Sequence, residues 1–426
     1  MEVNINTLSG LLQEAEIFVT DEELQPLFAR AYDKERSRIE IKGFRKGKAP
    51  LSMIKKLYGE AIEHDILDDV ATDFYQKAMD ERNIRPIGQP AMVGMDYKRG
   101  NVFRFRIQYE VKPEIVLKQY KGLSVDKPVH RVSEEEINAE ILRLRRINGT
   151  VLEVSEVTDA EHFVTGDVQE LDPAGMPLIG RKTKNVRFYL NDDSLAAEIK
   201  QALGNAKSGQ TYRIRVESIE NDQKRPLDID ITVTKVEKIE LPALDEAFVT
   251  RITNGKLTSV DEFRQSVRSE LEKHWADWSE RKLNNEIIAE LVRLHEFPVP
   301  DALVRTLLDS YIEDIKGRSK NRKLPDDFDE EKFRNDSRSL AIWQAKWLLL
   351  KERIADAEKI VVTEEDIAQV AEADAARVGV DKNRLVNYYR ESAGTRDHLL
   401  TEKIMKFLVA HATVSEKIVE EHDLRP

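Results

Sequence analysis

Residues 41–57 read IKGFRKGKAPLSMIKKL. The stretch carries Lys42, Arg45, Lys46, Lys48, Lys55 and Lys56 and no acid, in a chain whose formal net charge is -12. A local reversal of charge sign marks a docking surface for something anionic. Gly43, Gly47 and Pro50 bracket the core of the stretch. Glycine admits backbone angles closed to other residues, and proline restrains the chain around it. The stretch therefore reads as a shaped loop tip holding one large ring, Phe44, among cations. A lone ring there has no helical or strand partner at i+2 or i+4. It either tucks back onto the local core or inserts into a partner, while Arg45 and Lys46 pair with phosphates or carboxylates. The shape of the motif favours insertion.

Working outward, residues 1 to about 113 read as mixed α/β. VNIN and AEIFVT form short strands. Asp21 is positioned to cap a helix running to about Ser37, with Glu22 and Glu23 in the first turn where the helix dipole favours acids. A second helix is predicted over roughly 60–82, from Ile62, Ile66, Val70, Phe74 and Ala78 at helical spacing. A hairpin follows, with AMVGMDY, the turn KRGN, then VFRFRIQYEV. From Phe103 to Val111 apolar residues alternate with Arg104, Arg106, Gln108 and Glu110, the period of a half-buried strand. The basic loop thus sits between two helices on a small rigid platform.

GFRKGKAP resembles the ribosome-docking signature of the trigger factor family, bacterial chaperones at the nascent-chain exit. The likeness continues through YGEAIEHDILDDVATDFYQKAM, NIRPIGQP and FRFRIQYEVKPEI, and resumes at LPALDEAFVTRI and FPVPDALV. It spans nearly the whole chain and is weakest in the middle. The resemblance implies a ribosome-binding set of Gly43, Phe44, Arg45, Lys46, Gly47, Lys48 and Pro50. It implies as partners the ribosome near its exit (ribosomal protein and rRNA) and unfolded nascent polypeptides, with a homodimer as a further expectation away from the ribosome.

Composition narrows the alternatives. With 426 residues the chain suits about three domains. No run approaches the roughly 20 apolar residues of a membrane helix, and the start, MEVNINTLSG, is unlike a signal peptide, so no membrane partner and a cytoplasmic location are expected. The absence of cysteine removes disulfides, thiolate metal sites and cysteine nucleophiles. Eight scattered histidines form no HxxxH or HExxH pair, and no glycine-rich phosphate loop is present. No metal and no cofactor are expected. A single basic patch without interleaved aromatics also argues against sequence-specific nucleic-acid readout.

Pro113 and KGLSVDKP read as an extended connection. Ser133, with Glu136 three residues on, makes a capping box for a helix striped by Ile137, Ile141, Leu144 and Ile147. Residues 151–241 form a β-rich unit with strands HFVTGDVQEL, NVRFYL, YRIRVESI and LDIDITVTKVEKI and one short helix in SLAAEIKQALGNAKSGQ. This layout matches an FKBP-type prolyl isomerase domain. From Ala243 the chain is helical. Ser259 and Glu262 open a long helix to about Glu296, which stops at Phe297-Pro298-Val299-Pro300, and further helices run near 302–318, 329–358, 364–378, 383–391 and 396–411. Long helices with narrow apolar stripes and heavy charge suggest protruding arms.

Prolyl isomerisation needs an apolar, aromatic pocket that strips water from the X-Pro amide. The family lines it from a DFTG-like strand and an IPGFE-like turn. Here those stretches read GDVQEL and DSLAAEI. The residues left as candidates are Asp167, Leu195, Ile199 and Tyr212, with Phe163, Phe188 and Tyr189 as partial substitutes. Weak or absent peptidyl-prolyl cis-trans isomerase activity is therefore expected. The reading is an α+β multidomain protein: a ribosome-binding α/β domain over 1–113, a linker and helix over 114–150, an FKBP-like domain over 151–241, and an extended all-α chaperone domain with helical arms over 242–426. Its function is that of an ATP-independent ribosome-associated chaperone; the alternative is an active prolyl isomerase acting on clients.

Overall fold

The computed structural model describes residues 1–41, 44, 47–220, 223–319 and 321–420. The chain divides into two compact units, each assembled from two separate segments: Met1–Lys127 with Arg281–Glu416, and Pro128–Glu280 with Lys417–Pro426.

In the first unit, β1 (Glu2–Ser9), β2 (Leu12–Val19), β3 (Pro86–Asp96) and β4 (Phe103–Val111) make an antiparallel sheet in the order β1-β2-β4-β3. The period of two along β4 decides its face. Phe103, Phe105, Ile107 and Tyr109 are buried, and Arg104 and Arg106 point out toward Glu16 and Glu14. The buried face packs against α1 (Asp21–Arg36), α2 (Leu51–Asp65) and α3 (Leu67–Glu81) through Leu24, Phe28, Ile54, Ile62, Val70 and Ala78.

Two expectations shift here. The cap of α1 is Thr20, one residue before Asp21, because its hydroxyl and the Glu23 carboxylate satisfy each other's backbone amides. The single helix expected over 60–82 is two helices that meet at Ile66, whose φ of -104° and ψ of -5° bend the chain. Periodicity hides such a bend, because Ile62 and Val70 face the same core on both sides of it.

The connection expected to be extended contains a strand, β5 (Ser124–Val129), and its residues 115–125 are strapped onto helices. Leu123 and Val125 enter a core with Ile287 and Leu291 of α7 (Val260–Leu294), Leu350 and Ile354 of α9 (Glu330–Glu358), and Ile404 and Leu408 of α12 (Ala393–Ala410). The Lys118 amide donates to Nε2 of buried His295 at 2.9 Å, while Nδ1 of that ring lies 2.8 Å from the Leu291 carbonyl. Both ring nitrogens thus have a backbone partner. The helices expected to run to the end of the chain are followed by a last strand, β11 (Thr413–Ile418), whose Thr413 amide donates to the Leu123 carbonyl at 2.7 Å.

The helix α8 (Asp301–Arg318) lies against β3. Gly88 permits this contact: its φ is +72°, and a Cβ there would stand 2.5 Å from the Cβ of Ala302. Glu110 accepts from the Ala302 amide at 3.1 Å at the same place.

The second unit holds α4 (Glu134–Ile147), opened by the predicted Ser133–Glu136 capping box. It also holds a five-stranded sheet: β6 (Thr150–Val154), β10 (Gln223–Glu240), β7 (His162–Leu171) and β8 (Pro177–Tyr189) in that order, with β9 (Thr211–Glu220) paired to β10. The short helix α5 (Ala197–Leu203) covers one face through Leu203, over Val164, Ile214, Ile231 and Val236. A separate small core joins Ile137 and Ile141 of α4 to Phe248, Phe263 and Val267.

Candidate functional site

The basic loop leaves α1 at Ser37 and enters α2 at Pro50. Both roots are sunk into the core of the sheet and its three helices: Ile41 and Ala49 are buried. Between them the Phe44 amide donates to the Ile41 carbonyl at 2.9 Å, and Gly47 turns the chain at φ +76°. Pro50 is a fitting entry to α2, because its missing N–H would have been unpaired there, while its carbonyl accepts from Met53 and Ile54. With its roots pinned, the loop holds the Phe44 ring 41% exposed. Lys48 and Pro50 are exposed too, whereas Lys42, Gly43, Arg45 and Lys46 lie outside the described residues.

Two features beside the loop escaped the sequence reading. Met53, Leu57 and Tyr58 are exposed on α2. Helical spacing identifies the stripe Met53–Leu57 but not its exposure. Behind α2, the buried carboxylate of Glu63 accepts from the Tyr32 and Tyr97 hydroxyls, the latter at 2.8 Å, and meets the Arg99 guanidinium at 3.1 Å. Burial and the hydrogen bond to Glu63 push the Tyr32 hydroxyl up to about 12. Lys55 lies over the Tyr32 ring, 5.0 Å from its centre. This network ties α2, and so the exit of the loop, to α1 and to the β3–β4 turn. No local sequence signal announces it, because its hydrogen-bonded pairs are 31 to 67 positions apart.

The isomerase candidates fall into two groups. Leu195, Ile199 and Tyr212 pack on the core of the five-stranded sheet, together with Phe188. Asp167 is on the opposite face: it pairs across the ladder with exposed Thr232, whereas Tyr212 pairs with buried Ile231. Its carboxylate is held low by the hydrogen bond from Lys182, at 3.0 Å, and by the Asn185 amide. Tyr212 turns its hydroxyl to Gln210 and to the Lys207 amide. Of the substitute aromatics, Phe163 and Tyr189 stack together with the Arg187 guanidinium over Phe163, and the Tyr189 hydroxyl donates to Glu161. Among the described residues no cluster of His, Asp and Glu could hold a metal ion, and no helix is long and apolar enough to cross a membrane.

Residues 1–144 match the family described as bacterial trigger factor protein, and residues 259–410 match its C-terminal region. A trigger factor of Prosthecochloris aestuarii is 30% identical over 434 residues, covering 100% of both chains. The chain belongs to the trigger factor family. It is accordingly a ribosome-associated chaperone that works on nascent polypeptides, independently of ATP. Trigger factors of Salinibacter ruber and Chlorobaculum tepidum are 28% and 29% identical, over 99% and 98% of this chain and 96% and 98% of theirs. A solved trigger factor chaperone, from work on promiscuous substrate recognition in folding and assembly, has the same fold. The TM-score is 0.52 at 20% identity, over 96% of this chain and 99% of that one. The stretch between these two matched regions contains the five-stranded sheet.

Proposed function

We propose that this trigger factor docks through the loop Gly43, Phe44, Arg45, Lys46, Gly47, Lys48 and Pro50. Phe44 seats in ribosomal protein and the cations meet rRNA phosphates beside the exit. The exposure of Phe44 between two buried roots carries this reading: a pinned loop pays little ordering entropy when it binds. The protein then acts in the cytoplasm, with residues 242–426 forming the main client-binding domain and residues 114–150 connecting it to the docking domain over 1–113. The FKBP-like domain over 151–241 serves as an auxiliary binding face with weak isomerase activity or none. The separation of Asp167 from Leu195, Ile199 and Tyr212 by the thickness of the sheet supports that assignment. Away from the ribosome, the apolar surface of Phe44, Met53 and Leu57 favours self-association as a homodimer.

Changing Phe44, Arg45 and Lys46 together to Ala is expected to abolish co-sedimentation with ribosomes and to leave the circular dichroism spectrum unchanged. Wild-type binding is expected to weaken with salt, since exposed charges are screened beyond about 8 Å at physiological ionic strength. Undiminished pelleting of the triple variant would remove the loop as anchor. Turnover of an X-Pro peptide at the rate of a dedicated isomerase would overturn the auxiliary role.

A further inference from the structure

The strands β7 and β8 do not meet through a regular hairpin. Gln169 pairs with Lys182, but Leu171 pairs with Pro177, so residues 178–181 stand opposite Glu170 alone. This wide bulge is braced from within. The Gln169 side-chain amide donates to the Leu178 carbonyl at 2.8 Å and to the Arg181 carbonyl at 3.3 Å, and Gly180 takes φ +80°. The tip beyond it is fixed as well: the Asp172 carboxylate accepts from the Ala174 and Met176 amides at 2.9 and 2.8 Å. On this hydrogen-bonded frame Ile179 is 103% exposed, Met176 63% and Leu178 37%. A single exposed apolar residue needs no explanation, but three within four positions make a patch.

The patch has a charge sign. Arg181, Lys182, Lys184 and Arg187 follow it on β8, in a chain of net charge -12. Lys182 pairs with Asp167 and Arg187 with Glu237, while Arg181 has no ion pair among the described residues. At the tip, the Asp172 carboxylate is occupied by backbone amides. In the sheet order β6-β10-β7-β8, β8 is an outer strand. An outer strand can accept an extended peptide through its free backbone groups. Its lysines and arginines repel a second copy of the same strand and attract an acidic one.

We propose that the β7–β8 hairpin, residues 172–187, is a docking surface for unfolded polypeptide segments whose apolar residues are flanked by acids. Ile179 and Met176 take the apolar side chains, and Arg181 and Lys184 take the flanking carboxylates. This rests on the reading of the FKBP-like domain as an auxiliary client-binding face and adds a chemical preference to it.

The test uses the full chain and short synthetic peptides that share an apolar core carrying a photo-reactive leucine and differ only in Glu or Lys flanks. After irradiation, mass spectrometry is expected to find the Glu-flanked peptide attached at residues 176–181, and the Lys-flanked peptide to label that site much less. The Met176→Ser/Ile179→Ser variant is expected to weaken Glu-flanked binding at this site at least tenfold, as loss of two buried aliphatic contacts implies. Arg181→Gln/Lys184→Gln is expected to erase the difference between the two flanks. Absence of label from the hairpin, or equal label by both peptides, overturns the proposal. So does loss of ribosome pelleting in the Met176→Ser/Ile179→Ser variant, which would make the surface a ribosome contact, or a fall in its sedimentation mass, which would make it a self-contact. Label on Leu195, Ile199 or Tyr212 with rapid X-Pro turnover would instead overturn the auxiliary-face reading.

Discussion

At the scale of single residues, Phe44 and Glu63 show what is and is not legible. Phe44 was readable because glycines and cations surround it, leaving an apolar ring without neighbours to pack on. Its exposure follows from Ile41 and Ala49 being anchored, a fact of packing. Glu63 was unreadable: it sits within an ordinary helical pattern, and its partners come from α1 and from the β3–β4 turn. Replacing Glu63 with Ala would leave the buried Tyr32 hydroxyl and the half-buried Tyr97 hydroxyl without their acceptor. The expected cost is about 3 kcal/mol in urea unfolding. Ribosome affinity should fall as well, since α2 carries the exit of the loop. An unchanged urea midpoint would show that the network does not hold α2.

At the scale of elements, alternation and most caps were read well because both are local; the cap of α1 lies one residue before the expected Asp21. Ser133 with Glu136 and Ser259 with Glu262 cap as their spacing predicts. The bend at Ile66 and the strand β11 were missed, since one keeps the periodic face intact and the other exists only by pairing with a distant partner. Asp366 at the start of α10 (Glu364–Val378) does more than cap. The Lys403 ammonium on α12 and the Thr363 amide pull its carboxyl from 3.8 down to about 2. A depressed folded-state value means that the stabilisation is complete above the ordinary carboxylate range and is lost as pH falls through that window. Amide protection in α10, taken relative to the intrinsic exchange rate at each pH, is therefore expected to fall on acidification from 3.8 toward 2. Asp366→Asn should exchange faster at neutral pH and respond less to acid. A wild-type profile that stays flat across the window would exclude the Lys403 tie.

At the scale of the whole molecule, both compact units are discontinuous in sequence, and the chain leaves the first at Lys127 to return at Arg281. The core under α5 is nonetheless drawn wholly from residues 154–236. A fragment spanning Thr150–Glu240 is thus expected to melt cooperatively alone, with the near-ultraviolet spectrum of a packed domain; a non-cooperative melt would show that it depends on the rest of the chain. The sequence by itself determined the alternation of β4, the helix caps, the cationic Phe44 tip and membership in a chaperone family, because each rests on neighbours a few positions apart. Only the tertiary structure decided that the segment of residues 115–125 is strapped onto three helices, that Asp167 and Tyr212 occupy opposite faces of one sheet, and that Ile179 stands free on a braced bulge. Those outcomes depend on pairing register and burial between distant segments, which no local pattern encodes.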